Sequence, residues 1–226
     1  MVIFFARTEH LPSTLELCRL LPPDWLASWA QRHGEDVRDD TKRQSLGALW
    51  LLHLAGGQGN LQYDALGRPF FWNSDAEFNL THTQGLLFCA YEKSATGRIG
   101  IDAESLVRDR DKDYGRLALR WFSPREYACF EASPTPQHFL TLWTRKEAYV
   151  KHTGSGLSQL RDADTFSIAE QGALRFLTCR VEDAILSLCL SEDAGTPTQI
   201  AKILWNADAR RAEISYQDIS FAEFCE

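Results

Sequence analysis

The chain has no C-x-x-C pair, although its 226 residues include six cysteines: Cys18, Cys89, Cys129, Cys179, Cys189 and Cys225. Zinc modules and thioredoxin-like redox sites need such spacing, so neither is legible here. Most of the cysteines lie in apolar runs such as "LLFCAY" and "ILSLCL", where they read as small buried hydrophobes in a reducing compartment. No apolar run is long enough to span a bilayer, and the one in "MVIFFARTEH" is too short for a signal peptide. A cytoplasmic protein with no membrane partner is expected. Basic residues are in the minority: 24 Lys and Arg stand against 31 Asp and Glu, for a formal charge of −7. A general nucleic-acid binder shows the opposite balance, so no nucleic-acid partner is expected. Low-complexity tracts, blocks of like charge and a visible repeat between the halves are also missing.

What is present is material for a core. The chain is 44% hydrophobic, with seven tryptophans and thirteen phenylalanines, which argues against disorder. "VIFFA" reads as an opening strand. "STLELCRLLPP" and "DWLASWAQRHG" read as short capped helices, and "DVRDDTKRQSLGALWLLHLAGG" as one long helix stopped by glycines. Turn chemistry in "YDALGRPFF" leads into an extended segment, followed by strands in "FNLTH", "GLLFCAYE" and "RIGIDAESL". "SPREYACFEA" carries Ser123, Pro124 and Glu126 at cap, first and third positions, a capping box. A helix over 139–151 follows. The tail from "TFSIAEQGALRFLTCRVEDAILSLCLS" through "AKILW" and "AEISY" reads as alternating strands with turns. Each half therefore holds helices and a small antiparallel sheet. The class is α+β, divided near residue 98 into 1–98 and 99–226.

Three stretches carry chemistry. In "RIGIDAESL", strand alternation puts Ile99, Ile101 and Ala103 on one face and the carboxylates of Asp102 and Glu104 on the other. Such a pair is either a solvated outer face or a site where a divalent cation relieves the repulsion. In "FNLTHTQG", His82 stands at a polar strand end with Asn79 and Thr81. In "FLTLWTRKEAYVK", Lys146 falls inside the apolar arc of the helix, and Glu147 and Lys151 lie near its edge, one turn apart. A buried charge needs a partner. Two readings are open: an ion pair at the edge of the core, or a helix facing a wet cleft where Glu147 meets a cation and the lysines an anion.

The order "GRPFF", "FNLTHT", "GIDAE", "WFSPREY", "WTRKEAYVKHTGSGL" from residue 67 on resembles the surfactin-type group of the 4′-phosphopantetheinyl transferase superfamily. The resemblance covers the middle of the chain well and the two ends poorly. It implies two similar α+β subdomains related by a pseudo-two-fold, with coenzyme A in the cleft between them and the KE-bearing helix lining it. On this resemblance Asp102, Glu104 and Glu147 match Mg²⁺ ligands. Glu147 is also matched to the general base, and Lys151 to a phosphate contact. His82 and Arg43 match contacts of the 3′-phosphate, and Thr81 is counted among the coenzyme-binding residues. Gly67, Arg68 and Pro69 match the border of the adenine, and Lys146 a further cofactor contact. Arg32, His33 and Arg38 precede the long helix without a clear counterpart. Ala103 offers no ligand between the two carboxylates, and Glu126 is explained by its capping box.

The reaction so implied moves the phosphopantetheine arm of coenzyme A onto a serine of an apo acyl, peptidyl or aryl carrier protein and releases 3′,5′-ADP, catalysed by a monomer. Two rivals remain at this stage: a non-catalytic binding module and a Mg²⁺-dependent hydrolase of nucleotide pyrophosphates. An acidic carrier facing an acidic enzyme needs a local basic and apolar surface. If "YGRLALRWF" is helical, it offers Arg116 and Arg120 one turn apart, with Leu117 and Leu119 beside them.

Overall fold

Helices and strands follow one another in blocks. The first block is β1 (Val2–Arg7), α1 (Thr14–Leu20), α2 (Pro23–His33), α3 (Asp39–Leu54), β2 (Asn60–Tyr63), β3 (Pro69–Trp72), β4 (Glu77–Thr83) and β5 (Leu86–Glu92). The second is β6 (Ile99–Ser105), α4 (Tyr114–Trp121), α5 (Pro124–Ala132), α6 (Pro136–Thr153), α7 (Thr165–Glu170), β7 (Leu174–Val181) and β8 (Ala184–Ser191). β9 (Gln199–Asn206) and β10 (Arg211–Asp218) close the chain. The computed structural model describes residues 1–34, 36–107 and 112–222. Cys225 and residues 108–111 of the charged "RDRDKD" run lie outside them. Among the described residues no helix is long and apolar enough to cross a membrane.

Two units result. One comprises Met1–Ala95 and Gly195–Ile219; the other comprises Thr96–Ala194 with the chain from Ser220 on. The division expected from sequence, 1–98 and 99–226, left the last two strands with the C-terminal half. They join the first unit because β9 pairs with β1, with Ile3 opposite Ile200 and Phe5 opposite Lys202. That pairing is parallel, so the first sheet, ordered β10-β9-β1-β5-β4, is mixed where a purely antiparallel sheet was expected. Hairpin turns enforce antiparallel neighbours, and β9 reaches β1 only after a long crossover. The second unit's sheet, β6-β8-β7, is antiparallel throughout.

A common plan underlies both units. In each, an opening strand (β1 or β6) pairs antiparallel with the second strand of a later hairpin (β4–β5 or β7–β8). In each, a long helix packs on those strands: α3 on β1, β4 and β5, and α6 on β6, β7 and β8. Leu46, Leu49 and Trp50 of α3 are buried against Phe4, Leu87 and Cys89 of the first sheet. In the second unit Thr144 of α6, Ser187 of β8 and Thr178 of β7 form a buried hydroxyl chain at 2.7 and 2.9 Å, and the Arg145 guanidinium Nε donates to Thr178 at 2.9 Å.

Local departures from the sequence reading have local causes. "TFSIA" was expected as strand. It is helical because the Asp164 carboxylate accepts from the Phe166 and Ser167 amides and starts α7. α6 begins at Pro136, capped by the Thr135 hydroxyl, rather than at 139. The four-residue β2 was not anticipated; it forms by pairing with β3, Leu61 opposite Phe71.

One residue sets how closely α6 lies on its sheet. A Cβ on Gly100 of β6 would run into the Ala148 carbonyl oxygen of α6 and lie 2.8 Å from the His152 amide nitrogen. Both are backbone atoms of a helix and cannot swing aside. Gly100→Ala must therefore push α6 away from β6. Overpacking of this kind costs about 1–3 kcal/mol or more, and about 2–4 °C of Tm accompanies each kcal/mol in a chain of this size. Thermal melting of G100A is expected to fall by several degrees. An unchanged Tm would mean that the helix does not sit on β6 as described.

Candidate active site

β6 and α6 between them carry the acidic and basic residues of interest. Asp102 is buried and Glu104 half-buried on β6, while Glu147 and Lys151 are half-buried on α6. The close approach permitted by Gly100 lets the Lys151 ammonium donate to Asp102 Oδ1 at 2.7 Å. Glu147 joins them electrostatically. Burial pushes its carboxyl group up to about 7, Asp102 and Glu104 push in the same direction, and Lys151 only partly opposes them. Asp102, Glu104, Glu147 and Lys151 thus come together in one unit, from two elements 40-odd residues apart in sequence.

Lys146 does not join this cluster. Its side chain is 0% exposed, and its Nζ donates to Glu126 Oε2 at 2.7 Å and to the Ala163 carbonyl. A lysine held this way does not reach a bound cofactor without breaking a buried pair, contrary to the cofactor contact expected for it. The capping box at Ser123 and Glu126 is present, with Glu126 itself fully buried.

Arg43, Gly67, Arg68, Pro69, Thr81 and His82 lie in the other unit. Arg43 donates to the Leu11 and Pro12 carbonyls at 2.7 and 3.1 Å, and Arg68 pairs with Glu77. Both guanidinium groups thus bind the protein's own oxygens. Asp64 Oδ1 accepts from the Leu66 and Arg68 amides at 2.9 Å, which folds the "DALGR" turn. Gly67 sits at φ +86°, a left-handed conformation that favours glycine, and the Arg32 guanidinium lies against it. A cavity of about 270 Å³ is lined by Gly67, Pro69, Thr81 and His82, together with His33 and Tyr63. His33 stacks on Trp29 with centroids 4.8 Å apart, and its Nδ1 faces the Trp29 carbonyl at 3.0 Å. That carbonyl only accepts, so Nδ1 carries the proton. Burial pushes the Tyr63 hydroxyl up to about 12, with Arg32 opposing the shift.

Sequence reasoning missed a second lining. Tyr114, Leu117, Trp121, Phe139 and Trp143 enclose a cavity of about 200 Å³ with Glu104 at its edge. The aromatic spacing in "YGRLALRW" and "FLTLW" was the available signal, and it reads equally well as ordinary core.

For a divalent cation the donor chemistry fits. Asp102, Glu104 and Glu147 are hard oxygen ligands, and the repulsion that raises Glu147 is what such a cation relieves. Their positions are less decisive: among the described residues no three His, Cys, Asp or Glu groups are arranged to hold a metal ion, and Asp102 is engaged by Lys151.

Comparison with known proteins bears on this cluster. The sequence model of the 4′-phosphopantetheinyl transferase superfamily matches residues 98–201, which contain it. The chain is 39% identical over 115 residues to the 4′-phosphopantetheinyl transferase HetI of Nostoc sp. (strain PCC 7120), covering 48% of this chain and 47% of that one. It is 31% identical over 102 residues to Sfp of Bacillus subtilis (strain 168), covering 43% and 42%. To AcpT of Salmonella typhimurium (strain LT2) it is 33% identical over 147 residues, covering 63% and 73%. The match to HetI thus spans about half the length of that relative, and the match to AcpT nearly three quarters.

The charge cluster has a stability consequence. A carboxyl group whose affinity for protons rises from 4.5 to about 7 on folding disfavours the folded state once it ionises, so its cost grows as pH rises through that window. Glu147→Gln removes the cost. In the presence of chelator at about pH 8 the variant is expected to melt a few degrees above the wild type, with the gain shrinking towards about pH 5. A lower Tm at pH 8 would show that Glu147 is held by attraction rather than strained by its neighbours.

Proposed function

The chain belongs to the 4′-phosphopantetheinyl transferase superfamily, and from that membership we propose that it transfers the 4′-phosphopantetheine arm of coenzyme A to a serine of an apo carrier protein, releasing 3′,5′-ADP. The observation that carries the reading is the convergence of Asp102, Glu104, Glu147 and Lys151 where β6 meets α6. The superfamily match falls on the stretch that builds it.

In this reading the serine hydroxyl attacks the β-phosphate of coenzyme A, and the bond to 3′,5′-ADP breaks. Lys151 places positive charge on the diphosphate as charge shifts to the leaving group. Glu147 is the carboxylate placed to take the serine proton. Asp102, Glu104 and Glu147 would hold Mg²⁺, which supplies charge neutralisation on the diphosphate. The aromatic cavity beside Glu104 has the apolar walls that a pantetheine chain needs. The hydrolase reading lacks a comparable support, because the relatives that the chain matches are named transferases.

The test is the intact mass of an apo acyl carrier protein after incubation with coenzyme A and Mg²⁺. Gain of the phosphopantetheine mass is expected with wild type, and loss of nearly all turnover with Asp102→Ala at a near-normal Tm. Near-normal turnover by D102A across Mg²⁺ concentrations would remove Asp102 from the machinery.

For the partner, α4 presents Arg116, Leu119 and Arg120 to solvent, with Leu119 68% exposed and the Arg120 guanidinium 5.2 Å from the Trp121 ring centre. This basic and apolar face suits an acidic carrier. Arg116→Glu with Arg120→Glu is expected to raise KM for the carrier at least several-fold and leave KM for coenzyme A unchanged. Equal carrier KM in wild type and double variant would place docking elsewhere.

A further inference from the structure

Glu126 and Lys146 form the most deeply buried ion pair among the described residues, each side chain 0% exposed. Four donors converge on the one carboxylate. Oε2 accepts from the Ser123 amide at 2.9 Å and from Lys146 Nζ at 2.7 Å. Oε1 accepts from the Thr165 amide at 3.0 Å and from its hydroxyl at 2.8 Å. Lys146 Nζ donates in addition to the Ala163 carbonyl. The start of α5, the middle of α6 and the start of α7 are therefore joined at a single point.

Stability alone is a weak reason for such a pair. Replacing a buried ion pair with neutral groups of similar volume is often neutral or stabilising, whereas removing one partner is costly. What directional bonds add is a fixed geometry. Gly100 sets how near α6 lies to β6. Apolar packing around Phe139, Leu140 and Leu142 is non-directional, and the bonds of Thr144 and Arg145 tie the helix to β8 and β7 on its sheet side, which leaves the Glu126–Lys146 pair as its directional tie to α5 and α7. Lys146 precedes Glu147 by one residue and Lys151 by five, on the same rigid helix.

We propose that Glu126 and Lys146 are positioning residues: the buried pair fixes the rotation of α6 and thereby aims Glu147 and Lys151 at Asp102. The argument is one of lever arms. Side-chain tips stand about 5–6 Å from a helix axis, so a turn of roughly 10° moves them about 1 Å. A misplacement of about 1 Å can cost a reaction about 10²-fold. The KE dipeptide then divides its labour, the lysine anchoring inward and the glutamate acting outward. This inference rests on the transferase reading above.

The test compares Lys146→Met, Glu126→Gln and the double variant E126Q/K146M. Each is assayed well below its Tm, with rates expressed per folded molecule. K146M is expected to lose about tenfold or more in kcat, with KM for the carrier within about threefold of wild type. Amide hydrogen exchange over 146–151 is expected to quicken while β7 and β8 keep wild-type protection. The double variant, neutral and similarly packed, is expected to regain Tm without regaining kcat. Wild-type kcat per folded K146M molecule would overturn the proposal, and so would recovery of kcat together with Tm in the double variant. Should wild type modify no carrier, the transferase reading fails instead. The exchange measurement then decides the positioning claim by itself: unchanged exchange over 146–151 in K146M overturns it.

Discussion

The contact between β6 and α6 at Gly100 governs the chemistry of the second unit. Every side chain larger than hydrogen at that position meets the backbone of α6. With hydrogen there, the helix descends far enough for Lys151 to reach Asp102 and for Glu147 to feel both Asp102 and Glu104. The cost is borne locally: three carboxylates share a half-buried region with one ammonium group, and Glu147 is left with an affinity for protons well above an ordinary carboxylate. Evolution commonly leaves such unrelieved electrostatics where a ligand completes the balance.

A second buried charge system stands behind the first and is of the opposite kind. Around Glu126 every bond is made: two amides, one hydroxyl and one ammonium meet two oxygens. The contrast answers the question posed by adjacent charges inside a helix's apolar arc. The ion pair expected at the edge of the core was Glu147 with Lys151; the structure instead pairs Lys146 with Glu126 inside the core and Lys151 with Asp102. Lys146 faces the core with Glu126, and Glu147 and Lys151 face Asp102.

Much of this was legible in the sequence because it is local. The capping box at Ser123 and Glu126 follows from residue order alone, as do the alternation that sorts Asp102 and Glu104 from Ile101 and Ala103 and the glycine stop after His33. What was not legible depends on partners remote in sequence. The parallel pairing of β9 with β1 joins residues nearly 200 positions apart, and no periodicity in "AKILW" reveals it. Lys146 carried a cofactor expectation until Glu126, twenty residues away, was seen to hold it. Arg43 and Arg68 are similar cases, since the Leu11 carbonyl and the Glu77 carboxylate that engage them have no sequence signature. The aromatic slot beside Glu104 is drawn from α4, α6 and β6, and its residues looked like core until they were seen to leave a space.

The central claim is that α6 presents Lys151 and Glu147, and not Lys146, to the diphosphate of coenzyme A. A crystal structure of the protein with coenzyme A bound tests it most directly. The account predicts the diphosphate within hydrogen-bond distance of Lys151, beside Glu147, with Lys146 still buried against Glu126. A diphosphate bound away from α6, or a Lys146 that has left Glu126 to meet it, would contradict the account.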